Sequence, residues 1–176
     1  MIATRKAPVE EWILEHGDRC EFVHGAALAK PTSGLQHSKG QKRLATRLTL
    51  YEEATGVGCL MVEWHHRFGP PDDVRVYIPD LAFVLAPGHR GLPEYADEAS
   101  DIMIEIASPH QGAELAEKVE FYLHNGARRV WVADPQRKCV DIYSPDSQPR
   151  KIAAGGILTD DLLPGFALPI AELFAS

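Results

Sequence analysis

The chain has 176 residues, 45% of them hydrophobic and 24% charged, with a formal net charge of −7. That composition is ordinary for a soluble globular protein, and the length fits one domain spanning 1–176 with a core buried without disulfides or metal staples. The negative balance argues against a strongly basic, nonspecific nucleic-acid binder, but a site built from acids is itself locally negative until it binds a cation.

Cys20, Cys59 and Cys139 are odd in number and widely spaced, with no C-x-x-C pair, and read as reduced thiols. The N-terminus is charged early (Arg5, Lys6, Glu10, Glu11), and no apolar run is long enough for a signal peptide or a membrane span. A cytoplasmic location without membrane contact is expected.

In chain order, residues 8–17 read as a short helix with Pro8 in its first turn and Gly17 at its end. Residues 20–29 alternate loosely and suit a hairpin around His24-Gly25. Pro31 to Gly34 is a loop. Residues 36–54 form an amphipathic helix with Leu44, Leu48 and Tyr51 on one stripe and Lys39, Arg43 and Arg47 on another, stopped by Gly56 and Gly58. Residues 59–68 read as one strand, then Gly69-Pro70-Pro71-Asp72 turns into a strand at 74–78. Pro79 interrupts that strand, and the extended run resumes at Leu81–Leu85. Residues 86–100, rich in Gly, Pro and acids, suit a mobile loop.

Residues 101–107 form an apolar strand carrying Glu105, ended by Ser108-Pro109. A helix over 113–124 follows, with Leu115, Val119 and Tyr122 as its core stripe and Asn125-Gly126 as its stop. Strands at 128–133 and 138–143 flank a turn at Asp134-Pro135. A weak strand, a turn at Leu163-Pro164-Gly165 and a short helix close the chain. Two helices alternating with a mixed sheet imply an α/β sandwich.

Asp80 and Glu105 are the informative pair. On a strand, Met103, Glu105 and Ala107 share one face and Ile102, Ile104 and Ile106 the other. Such a run is buried on both faces, and a carboxylate there costs several kcal/mol unless a cation or a basic side chain compensates. Asp80 stands at the entrance to another apolar run. Lys118 falls beside the stripe of its helix, so its ammonium can reach the sheet; Glu114 lies on the same side, whereas Glu117 and Glu120 point to solvent. Mg²⁺ takes one or two carboxylates plus water and phosphate oxygens, which Asp80 and Glu105 could supply with the Ile106 carbonyl. The plain alternative stands beside this: Glu105 paired with Lys118 alone, and Asp80 bracing a turn.

Other residues carry less. His37 could contact substrate or merely sit at the helix start. His65 and His66 are adjacent, so on a strand they face opposite ways and cannot chelate together. Glu63 reaches the metal only if its face looks toward Asp80. Lys39, Arg43 and Arg47 could track a phosphate backbone, although a solvated helix face is the commoner case. Phosphate loops, nucleophile elbows and zinc patterns are absent from the sequence.

From residue 21 to 174 the chain resembles the Uma2 (DUF820) family. The matching pieces are Ile78-Pro79-Asp80-Leu81-Ala82-Phe83-Val84, Ile104-Glu105-Ile106-Ala107-Ser108-Pro109, Glu117-Lys118 with Tyr122, and Asn125-Gly126-Ala127. Val130-Trp131-Val132-Ala133-Asp134-Pro135, Gly156-Ile157-Leu158 and Leu163-Pro164-Gly165-Phe166 complete the order. The resemblance implies a restriction-endonuclease-like, PD-(D/E)XK α/β sandwich, with a mixed β-sheet flanked by helices. It implies a Mg²⁺- or Mn²⁺-dependent DNA endonuclease in which Asp80 and Glu105 hold the metal. Lys118 becomes the catalytic lysine moved to the helix, the usual strand position being Ala107, and His37 stands where members often have His.

The chain departs from the pattern at His24-Gly25-Ala26, where members often read Asp-Gly-Glu. It departs again at 110–114, where His110-Gln111-Gly112-Ala113-Glu114 replaces Ser/Thr, arginines and an Asp. These departures favour the alternative of an inactive nuclease-like fold acting as a nucleic-acid-binding or protein-interaction module. A third, weaker reading is a metal-binding protein acting on another phosphoester. Trp131, Tyr143 and the apolar tail could supply a homodimer interface.

Overall fold

The computed structural model describes residues 20–30, 33–70, 73–86, 91–109 and 111–175. The expected helix at 8–17 lies outside them, as does His110. The elements are β1 (Cys20–Val23), β2 (Ala26–Ala29), α1 (Leu35–Thr55), β3 (Gly58–Val62), β4 (His66–Phe68), β5 (Arg75–Tyr77), β6 (Leu81–Leu85) and β7 (Ile102–Ile106). After them come α2 (Gly112–His124), β8 (Arg129–Asp134), β9 (Cys139–Tyr143), β10 (Arg150–Ile152), β11 (Ile157–Leu158), β12 (Leu168–Pro169) and α3 (Ile170–Leu173).

A six-stranded mixed sheet, ordered β10-β9-β8-β7-β6-β3, forms the middle layer. Its central pair, β7 and β8, is parallel, and its other pairs are antiparallel. A parallel pair needs a crossover, which α2 supplies. All five residues of β7 are buried, as an apolar run covered on both faces requires. On one face Ile102, Ile104 and Ile106 pack with Trp131 of β8, Leu44 and Leu48 of α1, and the C-terminal segment. On the other, Met103 packs with Val130 and Val132 of β8, Val119 and Tyr122 of α2, and Phe68 and Tyr77 of a smaller sheet ordered β2-β1-β5-β4.

Two sequence expectations need correction. The single strand over 59–68 is two strands in two different sheets. β3 ends at Val62, Glu63 takes a left-handed φ of 49°, and β4 begins at His66. A left-handed residue reverses the local pleat, so the ladder cannot run through it. The described part of the 86–100 loop is also pinned rather than loose. Ala96 is buried and exchanges backbone hydrogen bonds with His65 and Arg67, at 2.9 and 2.7 Å, and the Trp64 indole donates to the Glu94 carbonyl at 2.8 Å.

The basic stripe of α1 has a structural use. Arg43 donates to the Leu173 carbonyl at 3.2 Å and also to that of Ala175, and Arg47 donates to the Ala167 carbonyl at 3.3 Å. These guanidinium groups therefore hold the C-terminal segment rather than standing free in solvent.

Candidate active site

The antiparallel register pairs Leu81 with Ile104. One step outward, Asp80 comes up against the end of β7 beside Glu105. The Ile106 N–H donates to Asp80 Oδ2 at 2.7 Å, the hydrogen bond that ties the loop carboxylate to the strand. His37, on the buried stripe of α1 with Gly40, Leu44 and Leu48, places Nε2 at 3.0 Å from the same oxygen. Lys30, just past the end of β2, brings Nζ to 3.3 Å from Oδ1 and 2.9 Å from the Ile78 carbonyl. Burial pushes the Asp80 carboxyl upward, but the His37 bond, the Lys30 charge and the Ile106 amide outweigh it and hold the pKa below the ordinary value. Asp80 is therefore an anion.

Glu105 lies 4% exposed on the opposite face of β7 from the isoleucines, as the strand period predicts. Tyr122 donates its hydroxyl to Oε1 at 2.8 Å, and Lys118 Nζ is 3.5 Å from the same oxygen. Burial raises the Glu105 pKa from 4.5 to about 7. Lys118 opposes that rise, and Asp80 and Glu21 add to it. Tyr122, fully enclosed beside two carboxylates, is pushed well above its usual value and stays a donor.

Lys118 is buried, deeper than its place beside the apolar stripe suggested. Its nearest partner is Glu21 of β1 at 2.8 Å. Burial works against the ammonium, but Glu105 and Glu21 outweigh it and raise the pKa, so Lys118 is a fixed cation and not a proton acceptor near neutrality. Glu21 also accepts the Ile78 amide at 3.0 Å, joining the small sheet to the approach to Asp80. Sequence reasoning passed over Glu21 and Lys30. Each is one charge in a loosely alternating hairpin, and the long-range pairing of β1 with β5 is what brings that hairpin to the site.

Lys30, His37, Asp80, Glu105 and Lys118 share a cavity of about 30 Å³, with Glu114 on its wall. That is room for a small ion or a water or two. Among the described residues, no group of three or more His, Cys, Asp or Glu is placed to hold a metal by protein ligands alone. Mg²⁺ does not need one, since it keeps waters and takes one or two carboxylates. The donor set is hard oxygen, and a cation would favour the charged form of Glu105, which burial first and then the Asp80 and Glu21 charges disfavour. These residues fit such an ion.

The remaining candidates sit elsewhere or play lesser parts. His66 is fully buried and bonded to the Trp64 carbonyl at 2.8 Å and the Ser100 hydroxyl at 2.9 Å. His65 stacks edge-on against Tyr95. Glu63 is exposed and takes the Gln41 amide at 3.3 Å, and its own N–H donates to the Asp80 carbonyl at 3.3 Å. It braces the backbone at Asp80. Glu117 is not a bare surface acid, since His24 meets it at 2.7 Å.

A mixed sheet flanked by helices, with an acid at the start of one central strand and another within its neighbour, defines a nuclease-like α/β fold. A crystal structure of a DUF820 protein from Anabaena variabilis, described as a putative nuclease, superposes with a TM-score of 0.80. It shares 19% identity and covers 95% of this chain and 97% of that one. The chain belongs to the Uma2 family, described as "Putative restriction endonuclease", whose profile matches residues 8–171. No protein with a curated description matches it. No helix among the described residues is long and apolar enough to cross a membrane.

Proposed function

We propose that the protein is a Mg²⁺- or Mn²⁺-dependent endonuclease that hydrolyses DNA phosphodiesters. The observation that carries this reading is the convergence of Asp80 from the loop before β6, Glu105 from β7 and Lys118 from α2 on one small cavity. Asp80 and Glu105 would hold the ion. A divalent ion in such a site supplies positive charge to the scissile phosphate and acidifies bound water. Asp80 is kept ionised and aimed by His37 and the Ile106 amide. Tyr122 fixes the rotamer of Glu105. Lys118, permanently charged, stabilises negative charge as it develops on phosphorus or orients the attacking water, a preorganised electrostatic role.

The test is cleavage of supercoiled plasmid and single-stranded DNA with Mg²⁺ or Mn²⁺, comparing wild type with Glu105→Gln. Cleavage by the wild type that falls at least about a hundredfold in the variant is expected. Equal cleavage by both would remove Glu105 from the site.

One observation favours a second reading, a nuclease-like fold kept as a binding module. The carboxylates already have protein partners: Asp80 has Lys30 and His37, and Glu105 has Lys118 and Tyr122. With Ala26 in place of an acid, such a network is complete as a structural brace. A folded wild type that cleaves nothing and binds no Mn²⁺ would decide for it.

A further inference from the structure

We propose that Lys30 is a tethered internal cation that competes with the divalent ion for Asp80, so that it sets the metal affinity of the site. This rests on the metal-site reading above.

The two oxygens of Asp80 are engaged differently. Oδ2 takes the Ile106 amide and His37 at short range. Oδ1 faces Lys30 at 3.3 Å, a long contact, while the same ammonium makes a shorter bond of 2.9 Å to the Ile78 carbonyl. Lysine has three donors, so one can stay on the carbonyl while another is given up. The carbonyl is thus the anchor and the carboxylate contact the exchangeable one.

Lys30 also lines the cavity with Asp80 and Glu105, and its side chain is 17% exposed, enough to swing outward. A divalent ion on Asp80 and an ammonium a few ångströms away would repel strongly at this depth. The ion therefore binds only as Lys30 withdraws from Oδ1. Lys118 does not share this role, because its carboxylate partners are Glu21 at 2.8 Å and Glu105 at 3.5 Å rather than Asp80, and the shorter bond to Glu21 is its anchor.

Lys30 is a positioning residue, and the experiment reads metal affinity directly. Mn²⁺ binding is measured by calorimetry and by the paramagnetic resonance of the free ion, at one pH and ionic strength. The proteins compared are wild type, Lys30→Met, Lys30→Arg and Glu105→Gln. Lys30→Met is expected to bind on the order of tenfold tighter than wild type, with Lys30→Arg close to wild type. If Lys30→Met does not fold, Lys30→Gln carries the same expectation, since its amide keeps a donor for Ile78 without the charge. Equal or weaker binding on loss of the Lys30 charge, with binding still lost in Glu105→Gln, overturns the competition and leaves the metal site standing. Unchanged binding in Glu105→Gln, or no binding by any of the proteins, overturns the metal site and the competition together.

Discussion

Lys118 is held by two carboxylates and buried with them, and this makes its removal asymmetric. A buried ion pair is only weakly favourable as a whole, because desolvation offsets attraction, but removing one partner strands the other. Lys118→Met leaves both Glu21 and Glu105 without their cation and is expected to cost about 3–5 kcal/mol in urea unfolding. Adding Glu21→Gln should recover part of that loss. A double variant no more stable than the single would mean that Glu21 draws its support from the Ile78 amide instead. Asp80, Glu105 and Lys118 were legible in the sequence because each breaks a pattern, a charge in or beside an apolar run. Glu21 breaks none: its strand alternates buried and half-buried residues, and an acid there looks like any surface acid until β1 is paired. Tyr122 was legible as core but not as a donor, since periodicity reports the ring and says nothing of the hydroxyl.

At the level of elements, boundaries set by glycine or by apolar periodicity were readable. α1 stops at Gly56, which takes a left-handed φ of 62° and donates its N–H to the Glu52 carbonyl at 2.8 Å. α2 and the β8–β9 hairpin fall within a residue or two of expectation. The break at Glu63 was not readable, because a lone non-glycine residue in the left-handed region leaves no trace in composition. Gly58 looked like a second stop signal, and its structural reason is different. It opens β3 opposite Leu85, and a Cβ there would meet the Val84 carbonyl oxygen and the Phe83 ring inside contact distance. Both belong to β6, the strand that follows Asp80, and neither backbone nor fully buried ring can yield cheaply. Gly58→Ala is expected to destabilise by about 1–3 kcal/mol through overpacking, read as a lowered urea midpoint. No change in midpoint would mean that the β3 edge peels back to admit the methyl group.

Over the whole molecule, two buried titrations oppose each other. Burial lowers the His66 pKa from 6.5 to about 4 against the pull of the Trp64 bond, and a carbonyl only accepts, so neutral His66 carries its proton on Nδ1 and accepts the Ser100 hydroxyl at Nε2. Between those values the unfolded chain binds the proton and the folded one does not. His66 therefore contributes stability that is present above about pH 6.5 and lost as pH falls toward 4, roughly 3 kcal/mol across the window. Glu105 runs the other way. Its folded pKa is raised from 4.5 to about 7, so its contribution is full below 4.5 and lost as pH rises through 7. In the overlap the two slopes offset, and the metal-free wild type should look flatter than either group alone would make it. Single variants separate them in urea unfolding with chelator present. Relative to wild type, His66→Gln removes the component that rises with pH, so its curve should fall from about pH 4 to 6.5. Glu105→Gln removes the falling component, so its curve should rise from about pH 4.5 to 7. Curves parallel to wild type for both variants would show that neither group titrates between folded and unfolded states, and the burial of Glu105 would then need a compensating cation already in place.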